Sequence, residues 1–402
     1  MQALHGIRVI DVSRVVAGPF CTYQLALMGA DVIKIEEPGR GDPVRWSASG
    51  TDSRFRDIGM ATTFLPQNSN KRSITLDLRK EEGKAIFRQL VQSADVVVEN
   101  FRAGVMDGLG LGYNALLEVN PKLIFCSLTG YGQHQPKGQH RAYDGLIQAA
   151  SGMMTMVGTK DTGPLKVGPV IVDYASGLVG AYAIGMALLQ RQHTGKGQYI
   201  DVSMLNTALT MMSAIIVDYK CTGHAPSLEA QRTATRSATS GYYDTADGRL
   251  AITAIEDHQA KRLLNTLCIG HLLSDPRYAD PEERMNHRSE LTAEISKVLA
   301  TRTSREWENI LSDAGVPCSL IRTIPEILEH PQVAGHGLLH TFPNLESTHS
   351  DVTVVGAAFK FEHDGPAVKS PPPTVGQHAD EVLKELGYDS AQIEALRSNG
   401  VI

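Results

Sequence analysis

Residues 170–180 read VIVDYASGLVG, and the predicted fold follows from this stretch. Val170, Ile171 and Val172 form a short β-branched run, which is typical of a strand, and the run ends at Asp173. The uncharged segment 174–190 follows at once and is rich in residues that favour a helix. We therefore expect Asp173 at a strand-to-helix corner, which is where open α/β sheets bind their ligands.

Two interpretations of Asp173 are open at this point. Aspartate is a preferred N-cap residue, because its carboxylate accepts hydrogen bonds from the free N–H groups of a first helical turn. A carboxylate beside a ligand crevice can instead act as a nucleophile that carries an acyl group. The position of Asp173 at a corner suits both roles, so the rest of the chain has to separate them.

Composition excludes several classes of protein. The chain has 402 residues, 42% of them hydrophobic, and a net charge of −6, which gives no broad basic field for nucleic acid. Its five cysteines are far apart and form no CxxC pair, so they predict neither a disulfide framework nor a zinc site. The N-terminus has no targeting pattern, and we expect a cytoplasmic protein. Segment 174–190 has about the minimum length of a membrane helix, but its glycines and alanines favour a buried core helix and no membrane partner.

The N-terminal residues predict a parallel sheet. Residues 6–13 are typical of a buried strand, 17–30 of a helix and 31–36 of a second strand, which together form a β-α-β unit. Glu36 follows the first strand at roughly the spacing of a ribose-binding acid in NAD sites. However, the first turn lacks the glycines that let a pyrophosphate approach the backbone, so the dinucleotide-binding interpretation fails there.

The pattern changes near residue 220. Residues 1–220 predict the first part of a large Rossmann-like domain, 221–240 a polar linker, and 225–325 a smaller α+β domain that begins with a hairpin at 241–253. Residues 326–402 are expected to return to the large domain and wrap around it. His134 and His140 in a polar loop raise the question of a metal, but no third ligand has suitable spacing, so we expect none.

Several stretches together resemble the family III CoA-transferases, which include formyl-CoA transferase, carnitine CoA-transferase and the α-methylacyl-CoA racemases. The matching stretches are VIDVSRVVAGP (9–19), GADVIKIEEPGRGD (29–42), NKRSITLDL (70–78), DVVVENFRAGVMDGLGLGY (95–113), NPKLIFCSLTGYG (120–132), AYDGLIQAASGMM (142–154) and VDYASGLVGAYAIGMALLQRQHTGKGQYIDVSM (172–204). The resemblance implies an enzyme with a Rossmann-like large domain, a small domain and an interlocked dimer of ring-like chains. It also places the family's nucleophilic aspartate on Asp173.

The resemblance further implies a site for coenzyme A as a cosubstrate, with no permanently bound cofactor. It places CoA contacts at Val15, Val16, Ala17, Leu76, Arg79, Asn100, Phe101 and Arg102. Arg40, Lys71 and Arg72 are further candidates for binding its phosphates, although exposed cations are common on any surface. Two positions depart from the family pattern: many members have an arginine near the CoA phosphates where Gly108 stands, and formyl-CoA transferase has an arginine where Glu37 stands.

Tyr143 separates the transferases from the racemases. Racemases of this family pair the aspartate with a histidine, because two acid/base groups are needed to move an α-proton between faces. Tyr143 stands at the matching position, and we expect Tyr143 and Arg141 to position substrate. The sequence thus predicts a CoA-transferase acting between small dicarboxylic acids, through an aspartyl mixed anhydride and an aspartyl-CoA thioester. Amides at the start of the Tyr174 helix are candidate oxyanion donors. The alternatives are a racemase and a non-catalytic CoA-binding protein.

Overall fold

The structure is a computed structural model that describes residues 1–47, 53–225, 228 and 237–402. Much of the predicted linker, 226–227 and 229–236, lies outside the described residues. At its end, residues 237–240 are buried, so this part of the prediction is wrong: Ser237 and Thr239 bind the carbonyl of Ala254 through their hydroxyl groups.

A six-stranded parallel sheet forms the centre of the fold, in the strand order β3-β2-β1-β4-β5-β8. The prediction of a parallel α/β sheet is confirmed. Thirteen strands, six of them in this sheet, lie within the described residues. The strands are β1 (Arg8–Asp11), β2 (Asp31–Glu36), β3 (Lys71–Thr75), β4 (Val96–Glu99), β5 (Ile124–Thr129), β6 (Gly158–Thr159), β7 (Gly163–Pro164), β8 (Gln198–Ser203), β9 (Gly241–Asp244), β10 (Arg249–Ile252), β11 (Cys318–Leu320), β12 (Leu339–Leu345) and β13 (Ser350–Val355).

Seventeen α-helices lie within the described residues. They are α1 (Ala17–Leu27), α2 (Ser53–Asp57), α3 (Glu81–Gln92), α4 (Val105–Gly108), α5 (Tyr113–Val119), α6 (Asp144–Ala150), α7 (Ile171–Thr194), α8 (Met204–Met211), α9 (Ser213–Thr222), α10 (Asp257–Thr266), α11 (Pro281–Asn286), α12 (Arg288–Leu299), α13 (Ser304–Asp313), α14 (Ile324–Leu328), α15 (Pro331–His336), α16 (Ala379–Glu385) and α17 (Ser390–Ser398). Short 3₁₀ turns lie at Pro43–Trp46, Leu65–Gln67, Met153–Met156 and Gly270–Ser274.

Alternation along the strands divides the core into two layers. Val9 points into a layer formed with α1 and α7, whereas its neighbour Ile10 points into a layer formed with α3, α5, α16 and α17. Among the described residues, α7 is the one helix long and apolar enough to cross a membrane. Its residues Ile184, Ala187 and Leu188 are buried in the first layer, but only 39% of its apolar window is buried, so the expectation of a buried core helix holds for one face of α7 only.

The chain divides into two compact units, one made of residues 1–154, 166–223 and 334–402 and the other of 155–165 and 224–333. The second unit has its own core, in which the antiparallel sheet β9–β11 packs with α10, α12 and α13. The predicted hairpin at 241–253 is confirmed. Two predicted bounds differ: the second unit extends to residue 333, and it includes the small hairpin β6–β7, whose two-residue strands are too short to leave a periodic signal.

The predicted strand at 170–172 is wrong, because α7 already begins at Ile171. Strand propensity is a weak prior that tertiary contacts override. Here a carboxylate oxygen of Asp144 accepts hydrogen bonds from the amides of Val172 (2.7 Å) and Asp173 (3.3 Å). These are N–H groups that a first helical turn leaves without an intrahelical partner, so Asp144 allows the helix to start three residues earlier than the sequence pattern indicates.

Candidate active site

A cavity of about 370 Å³ opens at the carboxyl ends of β1, β4 and β5. Because β2 and β3 lie on one side of β1 while β4 and β5 lie on the other, the loops after β1 and β4 diverge, and such a point is where open α/β sheets bind ligands. The residues that line the cavity come from these loops, from 138–143, and from the starts of α7 and α8: Arg14, Val15, Val16, Ala17, Asn100, Phe101, Arg102, Leu128, Thr129, Gly130, Gly138, His140, Arg141, Ala142, Tyr143, Asp173 and Met204.

Asp173 lies in the wall of this cavity, in the first turn of α7. Its carboxylate does not cap the helix. The N-cap residue of α7 is Val170, whose side chain accepts no hydrogen bond. Burial and the nearby charge of Asp144 raise the pKa of Asp173 to about 7, and no hydrogen bond contributes to this shift. The N-cap interpretation is therefore wrong. Within the described residues Asp173 is a carboxylate without a fixed partner, facing open space.

Asp144 is the functional neighbour that the sequence did not reveal. It is buried at the start of α6, and one of its oxygens binds the α7 amides while the other accepts a hydrogen bond from Gln148 at 2.6 Å. It therefore fixes the position of Asp173 and also raises its pKa through charge repulsion. This arrangement corrects the predicted oxyanion donors, since the amides of Val172 and Asp173 are already occupied by Asp144 and that of Tyr174 binds the carbonyl of Val170.

The loop after β1 is held in a strained conformation beside the cavity. Val15 has a φ of +70°, which is costly for a β-branched residue. Its amide donates to Asp42, with 3.2 Å to each carboxylate oxygen, and its carbonyl accepts from Gln67 at 2.9 Å. The Asn100 side chain both donates to the carbonyl and accepts from the amide of Arg14, each at 2.7 Å. These contacts fix the cavity wall formed by Val15, Val16 and Ala17.

A buried ion network supports this loop from below. Lys34 pairs with Asp42 at 3.1 Å, and Lys71 pairs with Asp11 at 3.0 Å, with all four side chains fully buried. Although burial raises the pKa of Asp11, the charges of Lys71 and Lys34 outweigh it and lower the pKa to about 2. The prediction of Lys71 as a phosphate ligand is therefore wrong, because strand alternation turned its ammonium into the interior.

Arg72 and Arg40 are also placed away from the cavity. Arg72 points to the opposite side of β3 and pairs with three carboxylates, those of Asp31, Glu381 and Glu385, at 2.5–2.8 Å. Since its donors are used in these ion pairs, the prediction that it binds phosphate is wrong. Arg40 is exposed in the loop after β2 and lines neither this cavity nor the neighbouring one, so the structure does not bring it to the site.

A second cavity, of about 480 Å³, adjoins the first. Leu76 and Arg79 line it, and both cavities share Arg14, Phe101 and Arg102. The predicted CoA contacts are therefore brought to two adjoining spaces. The first cavity is lined by Val15, Val16, Ala17 and Asn100, and the second by Leu76 and Arg79. Phe101 and Arg102 line both cavities.

The positions that depart from the family lie near this second cavity. Arg79 pairs with Asp77 at 2.8 Å and approaches Glu37 at 3.5 Å, so the acid at position 37 takes part of its charge. Gly108 ends α4, and a side chain there would meet no atom within 4 Å. Neither Glu37 nor Gly108 supplies a cation to the second cavity.

Tyr143 and Arg141 both line the first cavity, and Tyr143 is 65% exposed. Their role in positioning substrate stays a prediction. His140, at which we expected no metal site, lines the same cavity. None of the three is buried, so each is available to a ligand that enters the cavity.

Glu99 lies behind the cavity wall at the end of β4. It is buried, it accepts hydrogen bonds from the amide of Phe101 (2.8 Å) and the side chain of Gln133 (3.2 Å), and Ser127 also donates to it. Burial raises the pKa of Glu99 to about 7. It lines a separate cavity of about 200 Å³ and reaches the active site only through the backbone of Phe101.

Sequence reasoning missed Asp144, Arg14, Glu99 and His140. Arg14 and Glu99 carried one usable signal, since Arg14 directly follows the strand predicted at 6–13 and Glu99 directly follows the β-branched run 96–98. Asp144 carried none, because its role depends on a contact with α7 across 28 residues of sequence. Within the described residues no group of three metal-ligating side chains is suitably placed for an ion.

Comparison with known proteins matches the family suggested by the motifs. A sequence profile described as CoA-transferase family III covers residues 4–379. Succinyl-CoA:glutarate CoA-transferase from Mus musculus is 34% identical over 100% of this chain and 91% of its own length. Succinate–glutarate CoA-transferase from Agrobacterium fabrum is 35% identical over 95% of each chain. The crystal structure of a CAIB/BAIF family protein from Brucella suis has a TM-score of 0.84 at 32% identity and covers 96% of this chain and 99% of that one. This chain belongs to the family III CoA-transferases.

Proposed function

We propose that this enzyme moves CoA between small dicarboxylic acids and that Asp173 carries the acyl group. The observation that supports this most is the Asp173 carboxylate, which faces the cavity without a fixed partner among the described residues. A structural aspartate would cap a helix or form an ion pair, whereas a nucleophile has to be free to attack. A pKa of about 7 leaves roughly half of it ionised near neutral pH, in a form more reactive than a solvated carboxylate.

The first half of the reaction loads the enzyme. An Asp173 oxygen attacks the thioester carbonyl of the donor acyl-CoA, the C–S bond breaks, and an acyl-aspartyl anhydride and CoA thiolate result. The thiolate then attacks the Asp173 carbonyl carbon of the anhydride. The donor acid leaves as a carboxylate, and an aspartyl-CoA thioester remains.

The second half of the reaction runs in the opposite direction with the acceptor. The acceptor carboxylate attacks the aspartyl thioester and expels CoA thiolate, which then attacks the acceptor acyl carbon. The acceptor leaves as its CoA thioester and the Asp173 carboxylate is regenerated. Each step conserves the thioester energy and needs no redox change.

Every attack forms an oxyanion, and the start of α1 offers donors for it. Ala17 begins this eleven-residue helix in the cavity wall, and the first amides of a helix have no intrahelical partner. The amide of Phe20 already binds Val16, which leaves those of Ala17 and Gly18 as the candidates among the described residues. They replace the α7 amides that the sequence suggested.

The dicarboxylate preference rests on two supports. The relatives from Mus musculus and Agrobacterium fabrum are named for succinate and glutarate. Arg141 is an exposed cation on the rim of the cavity, without a carboxylate partner in the described part of the chain, and can pair with the distal carboxylate of an acceptor. We further propose that the enzyme works as a homodimer in the cytoplasm, with CoA and the two acids as its only small-molecule partners.

Incubation with succinyl-CoA and a panel of acids, followed by mass spectrometry of the CoA esters, tests the activity. We expect glutarate and similar diacids to become CoA esters, and we expect Asp173→Asn to lower the rate more than about a thousandfold. Hydroxylamine added during turnover should convert Asp173 to its hydroxamate, which peptide mass analysis detects. Racemisation of an α-methyl substrate without any transfer would instead favour a racemase, and full turnover by Asp173→Asn would exclude the proposed nucleophile.

A further inference from the structure

We propose that Arg14 binds the diphosphate of CoA at the junction of the two cavities. This assignment rests on the proposed function, because that function fixes the reacting end of CoA at Asp173. The thioester then lies in the first cavity, and the rest of the molecule extends into the second, where Leu76 offers an apolar wall. The diphosphate lies between the pantetheine arm and the adenosine of CoA, so it passes the shared wall made of Arg14, Phe101 and Arg102.

The charges around the second cavity leave few cations for this diphosphate. Arg79 is compensated by Asp77 and Glu37, and the Glu36 carboxylate at the same cavity is paired with the buried Arg45 at 2.7 Å. By contrast, neither Arg14 nor Arg102 has a carboxylate partner within the described ranges. An unpaired guanidinium attracts a dianion more strongly than one that already has its counter-charge.

Arg14 is also better fixed in place than an ordinary surface arginine. Its backbone is bound at both its amide and its carbonyl by the Asn100 side chain, each at 2.7 Å. Its guanidinium lies over the Phe101 ring, with Cζ 4.9 Å from the ring centroid. This stacking restricts the side chain before any ligand binds, so less entropy is lost on binding, and the edges of the guanidinium stay free to donate two parallel hydrogen bonds.

The acceptor acid is the other anion that could pair with Arg14. An acceptor must attack at Asp173, so it needs the first cavity only, and Arg141 already serves that rim. Arg14 lines both cavities, as an anion that spans the two would require. The two anions make different predictions: loss of a diphosphate contact weakens every ligand that carries the diphosphate, whereas loss of an acceptor contact raises the KM of the acid.

The test compares Arg14→Ala and Arg14→Lys with wild type in binding CoA, 3′-dephospho-CoA and pantetheine. Titration calorimetry serves for the two nucleotides, and NMR titration for pantetheine, which lacks the diphosphate. We expect Arg14→Ala to raise the Kd of CoA and of 3′-dephospho-CoA by the same factor, about tenfold or more. The Kd of pantetheine and the KM of glutarate should stay within twofold. Arg14→Lys should recover part of the loss, because a lysine keeps the charge and loses the bidentate geometry.

Arg397→Ala is the matched control, because it removes a positive charge on α17, outside both cavities, and should change none of these constants. Four results would overturn the assignment of Arg14: an equal loss for pantetheine, an effect limited to ligands with the 3′-phosphate, a raised KM for glutarate alone, or no change at all. Wild-type protein that binds no CoA would overturn the proposed function itself, so the two failures are distinguishable.

Discussion

At the scale of single residues, the environment of Asp173 has a direct consequence for the pH dependence of the reaction. The carboxylate has to be ionised to attack, and burial together with Asp144 raises its pKa to about 7. The value of kcat/KM for acyl-CoA, measured with the acceptor at saturating concentration, should therefore rise as the pH rises through 7 and then level off. At pH 6 about a tenth of the plateau value should remain, because a carboxyl group is about one-tenth ionised when the pH lies one unit below its pKa.

Asp144→Asn tests the cause of this shift. The asparagine keeps an oxygen that can accept from the Val172 amide but removes the repelling charge, so the pKa of Asp173 should fall and the acid limb of the profile should move to lower pH. Glu99→Gln is the control, because Glu99 also has a pKa of about 7 but contacts the site only through the Phe101 backbone. If the acid limb disappears in Glu99→Gln and does not move in Asp144→Asn, the limb reports the ionisation of Glu99, and the prediction for Asp173 is contradicted.

Lys71 and Arg72 provide a second comparison at this scale, because they are adjacent on β3 and face opposite sides. Lys71→Met removes the ion-pair partner of the buried Asp11 and leaves Lys34 as the other cation that acts on it, so it should lower the free energy of unfolding by about 3–5 kcal/mol. Arg72→Met removes partly exposed ion pairs and should cost about 1 kcal/mol. Urea denaturation measures both values.

The same pair tests whether either cation binds CoA. Adding Asp11→Asn to Lys71→Met should recover part of the lost stability, since it removes the unpaired charge. Neither single variant should change the Kd of CoA for folded protein. A large rise in that Kd for Arg72→Met, with stability unchanged, would restore its predicted role in phosphate binding.

At the scale of secondary-structure elements, the contact between α1 and α7 determines where Asp173 lies. Gly177 is one turn beyond Asp173, and a Cβ atom there would lie 2.8 Å from the carbonyl oxygen of Ala17, a backbone atom that cannot move aside. The absence of a side chain thus lets the start of α7 approach the start of α1. Because both helix starts line the cavity, this distance also sets its width.

Gly177→Ala should therefore reduce both stability and catalysis. We expect the two helix starts to move apart and kcat to fall at least tenfold, since displacements of about 1 Å in an active site are enough for losses of that size. Gly185→Ala is the matched control on the same helix, because a Cβ atom there meets nothing within 4 Å. It should be neutral or stabilise the protein by up to about 1 kcal/mol through helix propensity. Thermal denaturation and steady-state kinetics of the two variants give the comparison, and equal kcat values would disprove this role of Gly177.

At the scale of the whole molecule, the sequence predicted what depends on local periodicity. The β-α-β pattern at 6–36 gave β1, α1 and β2, because each element buries residues at its own period. The hairpin β12–β13 was not predicted, since residues 346–349 between its strands lack a clear turn signal and most of its strand residues are exposed. The start of α7 was misjudged because Asp144, whose carboxylate binds the first amides of the helix, lies far away in the sequence.

The candidate site was predictable to a similar degree. Motif order predicted that Val16 and Phe101 share one cavity with Asp173, and all three line it. Val16 and Phe101 meet there because their segments follow β1 and β4, whose carboxyl ends share one edge of the sheet. Asp173 follows no strand of this sheet, and the contact of Asp144 with the start of α7 holds it at the cavity. It could not distinguish Lys71, which is buried in an ion pair, from a cation that faces a ligand. Charge alone does not reveal direction, and only the register of β3 in the sheet does.

The exposed apolar residues of the first unit predict a dimer. On α7, Leu178, Tyr182 and Met186 are 52%, 69% and 47% exposed and lie at intervals of four residues, so they form one stripe along the helix. Ile215 and Tyr219 form a similar exposed pair on α9. A soluble monomer rarely exposes so many large apolar side chains in contiguous rows, and a two-fold interface would cover them.

We therefore expect light scattering at micromolar concentration to give twice the chain mass of 43.5 kDa. Tyr182→Asp combined with Met186→Asp should shift the protein towards the monomer, whereas Tyr242→Asp, on an equally exposed side chain of β9, should leave the dimer intact. A wild-type monomer under these conditions would contradict the prediction. Because α7 carries both the stripe and Asp173, subunit association would also hold the helix that positions the nucleophile, and the monomeric variant should lose activity along with its partner.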